Sequence, residues 1–111
     1  MGLTFLVGML GAGEPLLSAA AMRGNAELPL TGEIKTGVLA VQVDCRGGGT
    51  LEVTVVPVGL TFPSECVAGD VRSTYNEIRL HEARGAGSVR VTAPSGVRWA
   101  LTVEQPVPGT R

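Results

Sequence analysis

From residue 25 onward, stretches of this chain place apolar residues at every second position, and none sustains the 3.6-residue period of a helix. In residues 38–45 one face holds Leu39, Val41, Val43 and Cys45, while Gln42 and Asp44 turn the other way. Residues 51–57 set Leu51, Val53 and Val55 against Glu52 and Thr54. Ile78 and Leu80 alternate with Glu77, Arg79 and His81, and Val89, Val91 and Ala93 alternate with Ser88, Arg90 and Thr92. Val97, Trp99, Leu101 and Val103 alternate with Arg98, Ala100, Thr102 and Glu104. A further short run, 25–30, puts Ala26, Leu28 and Leu30 on one side. A sheet with one dry face must cover it, and no amphipathic helix is available for that. The predicted fold is therefore all-β, an antiparallel β-sandwich or jelly roll of six to eight strands.

Turn residues fall between these runs, at 46–49, 83–87 and 94–96. Pro94-Ser95-Gly96 suits a three-residue hairpin loop with a bulge at the glycine. Pairing Ala93 with Val97 aligns Val91 with Trp99 and Val89 with Leu101, so a hairpin is expected there. The stretch 58–73 is expected to cross between the sheets. The expected core is Leu39, Val41, Val43, Val53, Val55, Ile78, Leu80, Val89, Val91, Trp99 and Leu101.

The start of the chain reads differently. Residues 1–22 carry a single charge, Glu14. An apolar run over 3–10, breakers at Gly11, Gly13 and Pro15, and Ala19-Ala20-Ala21 follow in the order of a secretory signal peptide, though no Lys or Arg precedes the run. The same run would otherwise be a core strand or helix. The expected division is a signal peptide or apolar segment over 1–21, a sandwich over 22–105 and a flexible tail over 106–111. The apolar run is too short for a transmembrane span. No cysteine stands near Ala21 to carry a lipid. Secretion or residence in the cell envelope is expected.

Two cysteines in a small, export-like chain predict one disulfide, Cys45 to Cys66. Closing that loop stabilises by about 3 kcal/mol in chain-entropy terms. The spacing is not that of a thioredoxin-like redox pair.

The residues that carry chemistry are sparse. A net charge of −1 argues against nucleic acid as a partner, since phosphate binding needs a clustered positive field. One histidine and two cysteines make an incomplete zinc site. There is no run of calcium-binding carboxylates. Gly8-x-x-Gly11-x-Gly13 lacks the order of a phosphate loop. No cofactor and no catalytic residue is expected, and the chain does not read as an enzyme. Arg79, Arg90 and Arg98 lie on outward faces, but Glu77, Glu82 and Glu104 share those strands, which predicts a mixed, solvated surface. The polar start of one strand, with Tyr75 and Asn76 and then Arg79, is the candidate contact surface, the alternative for Tyr75 being a tyrosine that closes a corner of the sandwich.

Val41-x-Val43-x-Cys45 with Gly47-Gly48-Gly49, then Cys66, Tyr75-Asn76-Glu77 and Val89-x-Val91-x-Ala93-Pro94-x-Gly96-Val97-x-Trp99-Ala100-Leu101, form a recognisable set. Over residues 24–104 the chain resembles uncharacterised small exported proteins, many of them lipoproteins, of high-GC Gram-positive bacteria. The resemblance implies a β-sandwich in the envelope or outside the cell. It carries over no activity and no binding residue, and this chain lacks the lipid-attachment cysteine. The functional expectation is a small, monomeric, exported module that binds an unknown protein or envelope component. The alternative is a structural or assembly subunit of an appendage or virion, using unpaired edge strands.

Overall fold

The computed structural model describes residues 14–105; the apolar run 3–10 and the tail 106–111 lie outside the described residues. Eight strands follow one another: β1 (Glu14–Arg23), β2 (Ala26–Pro29), β3 (Gly37–Arg46), β4 (Gly49–Val56), β5 (Leu60–Cys66), β6 (Arg72–Leu80), β7 (Ser88–Thr92) and β8 (Arg98–Gln105). They form two four-stranded antiparallel sheets, ordered β1-β8-β3-β6 and β2-β7-β4-β5. This is the sandwich that the alternation predicts. Each strand turns its apolar set toward the opposite sheet, where burial of apolar area drives association. Leu39, Val41 and Val43 of β3, Leu51, Val53 and Val55 of β4, and Trp99, Leu101 and Val103 of β8 are completely buried. Ile78, expected in this set, is only half-buried on the edge strand β6.

Three details differ from expectation. The turn at Pro94 forms, with Val97 N–H donating to the Pro94 carbonyl at 3.0 Å. The strands it joins do not make a hairpin: β7 pairs with β2 and β4, and β8 pairs with β1 and β3. The dry faces of Val91 and Trp99 meet across the core instead of lying side by side, so the same alternation serves an arch between sheets. The stretch 58–73 is not all crossing. Phe62, Ser64 and Cys66 alternate inward along β5, which pairs antiparallel with β4, and only residues 67–71 pass between sheets. Finally, β1 occupies 14–23, and Leu16 and Leu17 join the core. The boundary expected after Ala21 falls at a bulge in this strand, where Ala21 takes φ 60°.

The disulfide joins Cys45 at the end of β3 to Cys66 at the end of β5, with Cα atoms 5.6 Å apart. It therefore ties one sheet to the other. In the β3–β8 ladder Cys45 lies directly opposite Trp99. The indole is completely buried, and its N–H donates to the Gly24 carbonyl at 2.9 Å.

The same end of the sandwich is held by a close approach of two turns. Gly47 sits at φ 116°, and a Cβ there would lie 2.6 Å from the Gly96 carbonyl oxygen. A left-handed backbone and a backbone clash act together, so Gly47→Ala should destabilise by about 1–3 kcal/mol. Chemical denaturation checks this; an unchanged midpoint would contradict the packing described.

Candidate functional site

The face of the first sheet turned away from the core is built by alternate residues of its four strands. Cross-strand pairing orders them into rows. One row runs Ser18, Thr102, Gln42, Tyr75 from β1 to β6. The next runs Pro15, Glu104, Ala40, Glu77. On the other side of the first row, Ala100 and Asp44 lie beside Ser73.

Tyr75 is the exposed aromatic of this face, 48 % accessible on the edge strand. Its hydroxyl donates to Glu77 Oε2 at 2.5 Å. Burial of the phenol, that hydrogen bond and the charges of Glu77 and Glu104 push its pKa up to about 12. The phenol therefore stays neutral and remains a donor throughout the physiological range.

The centre of the face is sheltered although it points away from the core. Ala40, Asp44, Ala100, Thr102 and Glu104 are all buried. Thr102 Oγ1 and Glu104 Oε1 have no hydrogen-bond partner among the described residues. Buried polar atoms are normally paired, and each unpaired one costs free energy. Gln42 Nε2 donates to Asp44 Oδ1 at 3.5 Å, a weak contact that leaves the amide capable of better ones.

Burial pushes the Glu104 carboxyl up from the ordinary carboxylate range. Its folded pKa exceeds its unfolded one, so its ionisation opposes folding once pH rises through that range. Glu104→Gln should raise the thermal midpoint by a few degrees near neutral pH and leave it nearly unchanged in acid. Scanning calorimetry at several pH values checks this; equal shifts at all pH values would contradict the charge argument.

The candidate contact residues are divided by this geometry. Tyr75 and Arg79 share the outward face, whereas Asn76 lies on the opposite face of β6 with Thr74 and Ile78. The sequence did not reveal Gln42, Thr102 and Glu104 as neighbours of Tyr75, because they come from β3 and β8 and meet it only through the register. Cys45 and Cys66 form the bridge expected of them. His81 is exposed just beyond β6. Among the described residues no group of three or more His, Cys, Asp or Glu side chains could hold a metal ion. On the second sheet, a shallow depression bordered by Asn25, Glu27, Arg90 and Thr92 is closed by an exposed Arg90–Glu27 ion pair at 3.7 Å. No helix among the described residues is long and apolar enough to cross a membrane.

No protein-family model matches the sequence, and no curated protein matches it. Solved structures do match in fold. One is the carbohydrate-binding module CBM6cm-2 of Cellvibrio mixtus lichenase 5A, in complex with cellotriose. It is 10 % identical with a TM-score of 0.53, over 85 % of this chain and all of that one. Another is the CBM22-1–GH10 portion of the Clostridium thermocellum endo-1,4-β-D-xylanase 10B, complexed with xylohexaose. It is 11 % identical with a TM-score of 0.51, over 85 % of this chain and 29 % of that one. The architecture is thus a β-sandwich of the kind carbohydrate-binding modules use. At these identities the likeness concerns the fold alone.

Proposed function

We propose that this protein is an exported, non-catalytic module that binds carbohydrate on the outward face of its first sheet. The observation that carries the reading is the row Ser18, Thr102, Gln42, Tyr75. A half-exposed ring at one end offers the apolar surface on which a sugar can stack. The exposed Ser18 hydroxyl and the weakly paired, half-buried amide of Gln42 in the same row can meet hydroxyls. The cross-sheet disulfide supports an oxidising compartment outside the cytosol. The resemblance to small exported proteins of high-GC Gram-positive bacteria supports a location in the envelope or beyond it. The likeness in fold to modules solved with cellotriose and xylohexaose supports a glycan as the ligand class.

Edge-to-edge assembly into an appendage is the weaker reading. Edge strand β1 is interrupted by bulges, β2 ends in Pro29 and β5 contains Pro63, all features that blunt strand pairing.

Binding is tested by affinity gel electrophoresis through gels carrying neutral and acidic polysaccharides in turn. At least one should retard the protein. Tyr75→Ala should weaken that interaction by about tenfold, the worth of a good aromatic contact. No retardation by any polysaccharide, or retardation indifferent to Tyr75, would overturn the proposal.

A further inference from the structure

Three of the nine Lys and Arg residues of this chain stand side by side on the outward face of the first sheet. Arg23 of β1 lies opposite Arg98 of β8, and Arg98 lies opposite Arg46 of β3. Their strand neighbours settle the direction of each: Met22, Trp99 and Cys45 turn into the core, so Arg23, Arg98 and Arg46 turn out. All three are exposed. Among the described residues none is in an ion pair, although Arg72 pairs with Asp70 and Arg90 with Glu27.

Like charges directly opposite one another in a sheet destabilise it. Here two such contacts occur consecutively, in a protein with an overall charge of −1. The row is also held rigidly. It ends at the disulfide-bearing tip of β3, beside the close approach of Gly47 to Gly96 and the buried Trp99. Neighbouring strands are about 4.8 Å apart, so the row spans roughly 10 Å. From Arg46 to Gln42, in the row of Tyr75, is four residues, or roughly 13 Å along the strand. At the far end the exposed Glu77 carries a negative charge beside Arg79 on the same face of β6, and Glu104 is buried.

We infer that the glycan taken by this face is anionic, and that Arg23, Arg46 and Arg98 bind its carboxylate or sulfate groups while a sugar further along the chain reaches Tyr75. This rests on the carbohydrate reading above and names the ligand class within it. Guanidinium groups pair with planar or tetrahedral oxyanions through two parallel hydrogen bonds, with directional preference. A polymer charged on every unit, such as duplex DNA, would meet the exposed Glu77 as well as the arginines, which disfavours it. An acidic polysaccharide can place its charged groups on the arginines and present neutral hydroxyls to the rest.

Isothermal titration calorimetry with the full chain tests this, using oligogalacturonate, chondroitin sulfate oligosaccharide, neutral xylo-oligosaccharide and duplex DNA as probes. One of the two acidic oligosaccharides should bind more tightly than xylo-oligosaccharide, and added salt should weaken it. The variant Arg23→Gln/Arg46→Gln/Arg98→Gln should lose at least about tenfold in affinity for it. Its thermal midpoint should not fall, because like-charged neighbours have been removed. Binding of xylo-oligosaccharide at least as tight as that of either acidic oligosaccharide, or acidic binding undiminished in the triply substituted protein, would overturn this inference and leave the carbohydrate reading standing. Tighter binding of DNA than of either acidic glycan would overturn the inference. Binding of none of the probes would overturn both.

Discussion

Replacing Trp99 with alanine should destabilise the protein by about 3–5 kcal/mol, the usual cost of emptying an aromatic core site. The indole is the largest completely buried side chain. It lies on the central strand β8, opposite Met22 on one side and Cys45 on the other. Its loss removes packing shared by both sheets and leaves the Gly24 carbonyl without its 2.9 Å donor. Since single domains of this size are stable by about 5–15 kcal/mol, Trp99→Ala should leave a marginal fold. Trp99→Phe keeps most of the apolar volume and loses the hydrogen bond, so it should cost distinctly less. Equilibrium unfolding in urea measures both; equal, small effects would contradict the packing described.

Removing the Cys45–Cys66 bridge should be the second largest effect. The bond closes a loop of 21 residues between strands of different sheets. Chain entropy assigns such a loop about 3 kcal/mol. At roughly 4–8 °C per kcal/mol, the thermal midpoint of the Cys45→Ala/Cys66→Ala variant should fall by on the order of ten degrees or more. The remaining core of completely buried Val and Leu residues should still fold at room temperature. Ser64, buried between the bridge and β6, donates to or accepts from Thr74 at 2.8 Å and gives β5 a second tie to the first sheet. Because Cys45 and Trp99 are cross-strand neighbours, combining the two changes should not give additive losses. A midpoint unchanged after reduction would contradict the role assigned to the bridge.

Much of this fold was legible because half-buried strands write their burial directly into alternate positions. β2, β3, β4, β6, β7 and β8 could be read so, and the sandwich followed from the lack of a helix to cover them. β5 was obscured by Pro63 and by Ser64, a polar residue on an inward position. β1 was obscured because its Leu and Ala residues also suit an export signal. The arch from β7 to β8 was read as a hairpin because one alternation satisfies both geometries; only the pairing partners tell them apart.

The site was legible only where it is local. Tyr75 stood out as an aromatic among polar residues, and Asn76 was drawn in by adjacency although the pleat sends it to the other face. Glu104 and Thr102 looked like ordinary solvated positions. Both are buried on the outward face of the central strand β8, and neither the strand order nor that burial is stated by the sequence. The arginine row joins residues 23, 46 and 98, which no local pattern links.

The outward face of the first sheet is the proposed binding surface. Backbone amide chemical-shift mapping during titration with an oligosaccharide that binds examines that face residue by residue. Shifts should cluster at Gln42, Tyr75, Glu77 and Thr102, extending to Arg46 and Arg98 when the glycan is acidic, while Glu52, Thr54 and Thr61 of the second sheet stay unmoved. Shifts confined to the second sheet or to the connecting loops at saturation would contradict it.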